Sequence, residues 1–337
     1  MRKILVLRLS SMGDVIVTAS LFSYLKANDP EASITLITQN NYAPLFADDP
    51  RLAGVIGITP KEKLPPAVLN QNWDNAVDLQ NSRRSRNLLG PIAAKRGYFD
   101  KLHGKRLALL LFRRDTYAGS LTVPGRYIEA ATGSSPGDIP VPSLFFSESG
   151  RRKALADYLP ADRIGRPLLA LFPFSAWKNK EWPAESYIAV GRYFLAKGWT
   201  PVIMGGTGDS AAAGKMASAM GGRCISLAGK LSLYECGALL TGFALALGND
   251  TGLSHLSRAC GVRTGILFGP TTRHFGFFPY GDPAFKVFET PLLCRPCHAH
   301  GGNRCLRLSH GCMRHIGPER VIKELEGLFE TDASGVH

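Results

Sequence analysis

The sequence predicts an α/β protein of two domains, each built on a mostly parallel sheet. Short apolar runs of strand type alternate with segments of helical spacing, the pattern of repeated β/α units with helices on both faces of a sheet. That alternation breaks once and then restarts. At 337 residues the chain is also longer than one ordinary domain. The break is a Pro- and Ser-rich stretch, 133–142, after which 160–167 leads into a fresh apolar strand. The expected domains are therefore 1–160 and 161–337.

The first strand falls in 3–9, and Ser10-Ser-Met-Gly-Asp14 turns the chain into a helix whose apolar positions are Val15, Ala19, Phe22 and Leu25. Strand-like runs follow at 33–38, 53–58 and 75–79, separated by helical spacing. In the second half the strands are expected at 168–172, 200–204, 244–247 and 264–268, with helices near 184–197 and 253–260. A last helix, 318–329, carries Pro318 at its first turn, where the missing N–H costs nothing. Open sheets of this kind present functional groups at the carboxyl ends of their strands. Two such domains facing one another would form a cleft.

A 45% hydrophobic content and a mean hydropathy near zero fit a globular chain with substantial cores rather than a disordered one. The net charge of +13 asks for an anionic partner, which composition leaves open as nucleic acid, a membrane surface or a phosphorylated small molecule. Much of the charge is concentrated. Arg83, Arg84, Arg86, Lys95, Arg96, Lys101, Lys105, Arg106, Arg113 and Arg114 are opposed over that stretch only by Asp100. Few aromatics are interleaved, so a stacking platform for single-stranded nucleic acid is poorly supported. The apolar run after Met1-Arg2-Lys3 is interrupted by Arg8 and Asp14 before a secretory signal is complete, and the run at 107–112 is too short to cross a bilayer. The expected location is the cytoplasm, with the protein resting peripherally at the inner face of the membrane. Of seven cysteines, expected as reduced thiols, four fall within 294–312.

Asp14 closes the loop after the first strand, where a carboxylate can serve as general base or cap the following helix. That loop does not match G-x-G-x-x-G, and Gly205-Gly206-Thr-Gly208-Asp-Ser210 lacks the Gly-Lys-Ser/Thr ending of a P-loop; its glycine-rich turn could approach a ligand, but reads rather as a join of strand to helix. In Phe174-Ser-Ala-Trp-Lys-Asn-Lys-Glu-Trp-Pro183, the Ser175 hydroxyl with Lys178 and Lys180 could hold a diphosphate; equally, the lysines could be a solvated face. Asn249-Asp-Thr-Gly252 opens a helix carrying His255, and the N–H groups at that helix end suit a phosphate. Beside such an anion Asp250 suits a neutral hydroxyl or a capping role, and His255 a ligand contact or a core position. Cys294-x2-Cys297 with Cys305 and Cys312, and His298, His300 and His310 nearby, are candidates for a structural zinc site, with packing cysteines as the alternative.

Taken together, Arg8-Leu-Ser-Ser-Met-Gly-Asp14, Trp177-Lys-Asn-Lys-Glu-Trp-Pro183 and Gly248-Asn-Asp-Thr-Gly-Leu-Ser-His255 continuing to Leu267-Phe-Gly-Pro-Thr271 resemble glycosyltransferase family 9, the bacterial heptosyltransferases of the lipopolysaccharide inner core. The resemblance covers nearly the whole chain. It implies a GT-B architecture of two facing Rossmann-like domains, the first binding the acceptor and the second the nucleotide sugar. It implies Asp14 as catalytic base, Ser175 and Lys180 on the donor phosphates, and Asp250, Thr251, Gly252 and His255 in the donor pocket. Ser11, Met12 and Gly13, with Arg83, Arg84 and Arg86, become candidates for holding the acceptor. The implied donor is ADP-heptose, the implied acceptor a lipid-linked anionic saccharide, and the implied chemistry an inverting transfer. With Lys180 and the helix N-terminus at Thr251 to stabilise charge on the leaving group, that chemistry is expected to require no cofactor. Ser175-Ala176 stands where family members often carry two hydroxyl residues, and Ser257-Arg258 replaces small apolar residues after the histidine. The competing readings are a GT-B transferase for another nucleotide sugar, a nucleotide-sugar epimerase and, more remotely, a nucleic-acid binder.

Overall fold

A computed structural model describes residues 1–113, 116–117, 119–163, 165–277, 282–305 and 307–330. The chain forms two compact units. The first takes Met1–His103 and Tyr117–Phe146 with a short piece beginning at Phe275; the second takes a piece beginning at Gly104, then Ser147–His274 and the last helix, Pro318–Glu330.

In the first unit five strands, β1 (Lys3–Leu7), β2 (Ser33–Gln39), β3 (Leu52–Ile58), β4 (Asn75–Asp78) and β5 (Lys95–Tyr98), form one sheet in the order β3-β2-β1-β4-β5. Every pairing is parallel. β1 is central and its Ile4, Leu5, Val6 and Leu7 are all buried, as a strand covered on both faces must be. On one face Leu5 and Leu7 join Ile37, Ile58, Leu64, Trp73 and Leu89 in a core. The helix Val123–Thr132 comes so close to β5 that a Cβ on Gly97 would stand 1.8 Å from the Ala130 carbonyl oxygen. Only glycine fits there.

The second unit holds six strands, β6 (Leu168–Phe172), β7 (Thr200–Ile203), β8 (Ile225–Ser226), β9 (Leu245–Asn249), β10 (Arg263–Phe268) and β11 (Phe285–Glu289). Their order is β11-β10-β9-β6-β7-β8, again with every pairing parallel. Helix Ala184–Ala196 and helix Pro318–Glu330 pack together beside this sheet, and Trp182, Tyr187, Phe194, Trp199 and Phe288 are the buried aromatic residues of its core. Among the described residues, no helix is long and apolar enough to cross a membrane.

Candidate active site

In each sheet the strand order reverses once between neighbours, at β1/β4 in the first and at β6/β9 in the second. Loops leaving such a pair diverge and open a crevice at the carboxyl ends, the place where open α/β sheets bind ligands. The residues singled out by sequence gather at these two points.

At the first, Asp14 lies in the opening turn of helix Met12–Asn28. Its Oδ2 accepts from the Ser11 hydroxyl at 2.6 Å and the Ser11 N–H at 3.2 Å. Its Oδ1 accepts from the Arg8 guanidinium at 2.6 Å and, at 3.4 Å, from the Tyr127 hydroxyl. Asp14 thus does contribute to capping, but from the third helical position with Ser11 as N-cap, while also forming a partly buried ion pair. Arg8 is itself buried, donates to the Leu79 carbonyl and lies over the Tyr127 ring. The N–H groups of Leu9 and Ser10 both donate to Gln80 Oε1, tying the loop after β1 to the loop after β4. Burial pushes the Tyr127 phenol well above its usual value, the Arg8 charge opposing and the Asp14 charge adding, so this hydroxyl stays a protonated donor.

Of the acceptor candidates, Ser11 is exposed, Met12 half-buried and Gly13 buried. Arg83 and Arg84 line a cavity of about 660 Å³ together with Lys61, Lys63, Leu64 and Leu88. Arg84 also donates to the Thr59 carbonyl at 2.6 Å. Arg86 does not line this cavity and instead grips Asn81 Oδ1 at 2.7 and 3.1 Å. The concentrated basic run is divided by the fold. Arg96 is engaged with the Leu89 and Ile92 carbonyls, and Lys105 and Arg106 lie on helix His103–Phe112, in the part of it that belongs to the second unit. Arg114 lies outside the described residues.

At the second switch point the loops after β6 and β9 meet. Lys180 Nζ donates to Asp250 Oδ2 at 2.7 Å and to the Asp250 carbonyl at 2.9 Å, and the Thr271 hydroxyl reaches Asp250 Oδ2 at 2.8 Å. Burial alone would raise the Asp250 carboxyl, but the Lys180 charge and hydrogen bond, with His255 and Thr271, carry it below the usual carboxylate range. Asp250 therefore faces a cation as well as a neutral hydroxyl. Behind it Asn249, fully buried, locks the two loops together: its Oδ1 accepts from the Trp182 N–H and the Tyr187 hydroxyl, and its Nδ2 donates to the Pro173 carbonyl.

Helix Gly252–Ala259 begins beside this pair, with Thr251 at its N-cap. The Thr251 hydroxyl makes no capping bond and is buried without a partner, so the first N–H groups of the helix are open to an anion. Gly248 allows the approach, since a Cβ there would stand 2.4 Å from the Ser254 hydroxyl. His255 sits one turn into the helix, its N–H bonded to the Thr251 carbonyl. Ser175 is held on the same loop as Lys180: its N–H donates to Glu181 Oε1, and its hydroxyl accepts from the Trp177 N–H, leaving the hydroxyl proton free to donate. Lys178 is exposed and paired with Glu181. The segment 205–210 is the expected strand-to-helix turn, closed by Gly206 N–H donating to Asp209.

Arg8, Tyr127, Asn249 and Thr271 were given no role by the sequence reading. Arg8 and Thr271 stand at the ends of the motifs that begin at Arg8 and finish at Thr271, whereas nothing local marks Tyr127. The four clustered cysteines are free thiols. Burial raises Cys297 and Cys312, the latter to about 11, with the neighbouring thiols adding. Among the described residues, no three His, Cys, Asp or Glu side chains are already arranged to hold a metal ion.

The sequence model of glycosyltransferase family 9 (heptosyltransferase) matches residues 62–302, more than half of the chain. The chain belongs to glycosyltransferase family 9. Lipopolysaccharide heptosyltransferase 2 of Salmonella typhimurium is 25% identical to this family 9 chain over 98% of it and 99% of the relative. Among solved structures, an E. coli ADP-heptose lipopolysaccharide heptosyltransferase II superposes with a TM-score of 0.77 at 22% identity, covering 98% of this chain and 100% of its own. An E. coli heptosyltransferase bound to ADP-2-deoxy-2-fluoro heptose gives 0.67 at 20% identity, covering 96% and 99%. The architecture is GT-B, and the activity of the family is glycosyl transfer.

Proposed function

We propose that the protein transfers heptose from ADP-heptose to the anionic Kdo/heptose inner core of lipopolysaccharide, in a single displacement that inverts the anomeric centre. The observation that carries this reading is the Asp14 carboxylate, held at the β1/β4 switch point and still partly open to solvent. The names of the relatives, which specify ADP-heptose and lipopolysaccharide, supply the substrates.

The Ser11 side of Asp14 is the exposed one, so an acceptor hydroxyl approaches Oδ2 in place of the Ser11 hydroxyl. As the acceptor oxygen bonds to the anomeric carbon, its proton passes to Asp14 and the bond from that carbon to the ADP oxygen breaks. Arg8 and Tyr127 hold Oδ1 and fix the carboxylate for that transfer. The leaving diphosphate is bound by the N–H groups at Gly252, the Thr251 hydroxyl, the Ser175 hydroxyl and the third N–H of Lys180. Asp250 keeps the Lys180 ammonium in place, and His255 lines the donor pocket. No cofactor takes part in the transfer.

Arg83 and Arg84, with Lys61 and Lys63, offer cations for the carboxylate and phosphate groups of the acceptor. On helix His103–Phe112 the side chains of Leu107, Leu111 and Phe112 are 58%, 60% and 69% exposed, beside an exposed Lys105, and we assign this face to contact with the inner leaflet of the cytoplasmic membrane. The test of the donor is a panel of ADP-, GDP- and UDP-sugars offered with a defined Kdo-lipid acceptor, with the anomeric configuration of the product read by NMR. Transfer of heptose with inversion is expected; transfer of another sugar, or retention, would overturn the assignment.

A further inference from the structure

The first unit holds a cavity of about 660 Å³ whose apolar lining a saccharide leaves unused. One wall is the loop after β3, residues 60–64, with Leu69 at the end of helix Pro66–Leu69; the other is helix Arg83–Leu89, with Pro91 beyond it. The volume falls within the usual range for ligand pockets, about 300–1,000 Å³. Pro60, Leu64, Leu69, Leu88 and Pro91 supply the apolar surface. Leu64 is buried in the core that contains Leu5 and Leu7 of β1, and Leu88 packs against that core, so this part of the lining is fixed. Leu69, by contrast, is 37% exposed.

The lining also carries four cations, Lys61, Lys63, Arg83 and Arg84, against one carboxylate, Glu62. Glu62 is already engaged, its Oε2 accepting from the Thr59 N–H at 2.9 Å. Arg84 joins the two walls through its bond to the Thr59 carbonyl, whereas Lys61, Lys63 and Arg83 are exposed. Sugar hydroxyls would give up water against leucine and proline without gaining partners, and a neutral tail would gain nothing from the cations. A hydrocarbon chain with an anionic group at one end uses both parts of the lining. The cavity is also joined to the Asp14 loop along the chain. Ser82 caps helix Arg83–Leu89, and Gln80, just before it, holds the Leu9 and Ser10 N–H groups.

We propose that this cavity takes an acyl chain of the lipid-linked acceptor, with an anionic group beside that chain held by Lys61, Lys63 and Arg83. The inference rests on the reading of the acceptor as a lipid-linked anionic saccharide and adds a place for its hydrocarbon part. Chain and charge are bound together, so neither alone suffices. A chain seated there leaves the saccharide end at the carboxyl edge of the sheet that carries Asp14.

The site can be tested without transfer. Dodecyl phosphate, kept below its micelle concentration, is titrated into the full chain by calorimetry, with butyl phosphate as the head without the chain and dodecyl maltoside as the chain without the charge. Saturable binding of dodecyl phosphate at one equivalent is expected, at least about tenfold tighter than either control. Leu69→Glu should weaken it by about tenfold or more, whereas Leu107→Glu with Leu111→Glu should leave it intact. No saturable binding in the wild type, equal binding of a control, or undiminished binding in Leu69→Glu would overturn the proposal. The acceptor as source of the chain is read from kinetics: Leu69→Glu should raise KM for an acylated acceptor severalfold more than for its deacylated form, and an equal change in both would overturn it. Failure of the assigned activity is distinct, since it would appear as no transfer by the wild type to either acceptor.

Discussion

Asp14 and Lys180 are each held by the group that opposes their charge, and the two pairs have different consequences on mutation. For Asp14 the contacts with Ser11, Arg8 and Tyr127 leave the carboxylate on a partly open surface. Asp14→Asn should keep the fold and lower the transfer rate by about 10²–10⁴-fold, the ordinary contribution of a positioned general base. For Lys180, 8% exposed, replacement by Met strands the buried Asp250 charge, at a cost of about 3–5 kcal/mol for breaking a buried pair. Urea denaturation at neutral pH measures it. Because Asp250 is depressed in the folded chain, its stabilising contribution is present above the unfolded carboxylate value of about 3.9 and disappears as pH falls through the lower folded value. In Lys180→Met burial, which raises the Asp250 carboxyl, is opposed only by His255 and the Thr271 hydrogen bond, so that dependence should reverse sign: mild acid protonates Asp250 and recovers part of the lost stability. An unchanged pH profile in the variant would contradict the assigned pairing. Asp14, Lys180 and Asp250 were legible as candidates in the sequence because each sits in a short motif at a strand end. Tyr127 could not be seen, because only the close approach of its helix brings it to Asp14.

Most of the strands that sequence made visible are buried on both faces; β3 was visible as an apolar run although only its Ile58 is buried. β1, β2, β6 and β9 read as apolar runs because helices cover both sides of their sheets. β5 is Lys-Arg-Gly-Tyr on the sheet edge, with its first and last residues exposed, and β8 is two residues long; neither offers an apolar signal. The helix Glu148–Tyr158 is similarly obscured by Arg151, Arg152 and Lys153, which point to solvent. At this scale the three-residue turn Lys178–Lys180 matters most, because its middle residue is bonded to the cysteine-bearing segment. Asn179→Ala removes that clamp without touching either lysine. It should weaken ADP binding severalfold, measured by calorimetry, while leaving the pH dependence of the chemical step unaltered. Equal ADP affinity in the two proteins would show that the turn holds its shape unaided.

At the scale of the whole molecule, the +13 charge and the exposed apolar face of helix His103–Phe112 belong to one expectation. The protein should sediment with vesicles containing phosphatidylglycerol, less so as salt rises, and not with purely zwitterionic ones. Leu107→Glu with Leu111→Glu should release it while sparing transfer to a soluble, deacylated acceptor. The basic run predicted this charge but not its division, since its two ends fold into different units. The alternation of strands and helices, by contrast, carried the architecture of both units, because parallel sheets impose it on every segment. The claim on which the rest depends is that Asp14 is the base for heptosyl transfer. Its most direct test is a single-turnover reaction of ADP-heptose with a Kdo-lipid acceptor, followed by mass spectrometry in wild type and in Asp14→Asn with ADP affinity measured alongside. The account expects rapid product in the wild type and a loss of at least about 10²-fold in the variant at unchanged ADP affinity. Wild-type rates in the variant would contradict it and leave Asp14 with its helix-capping role alone.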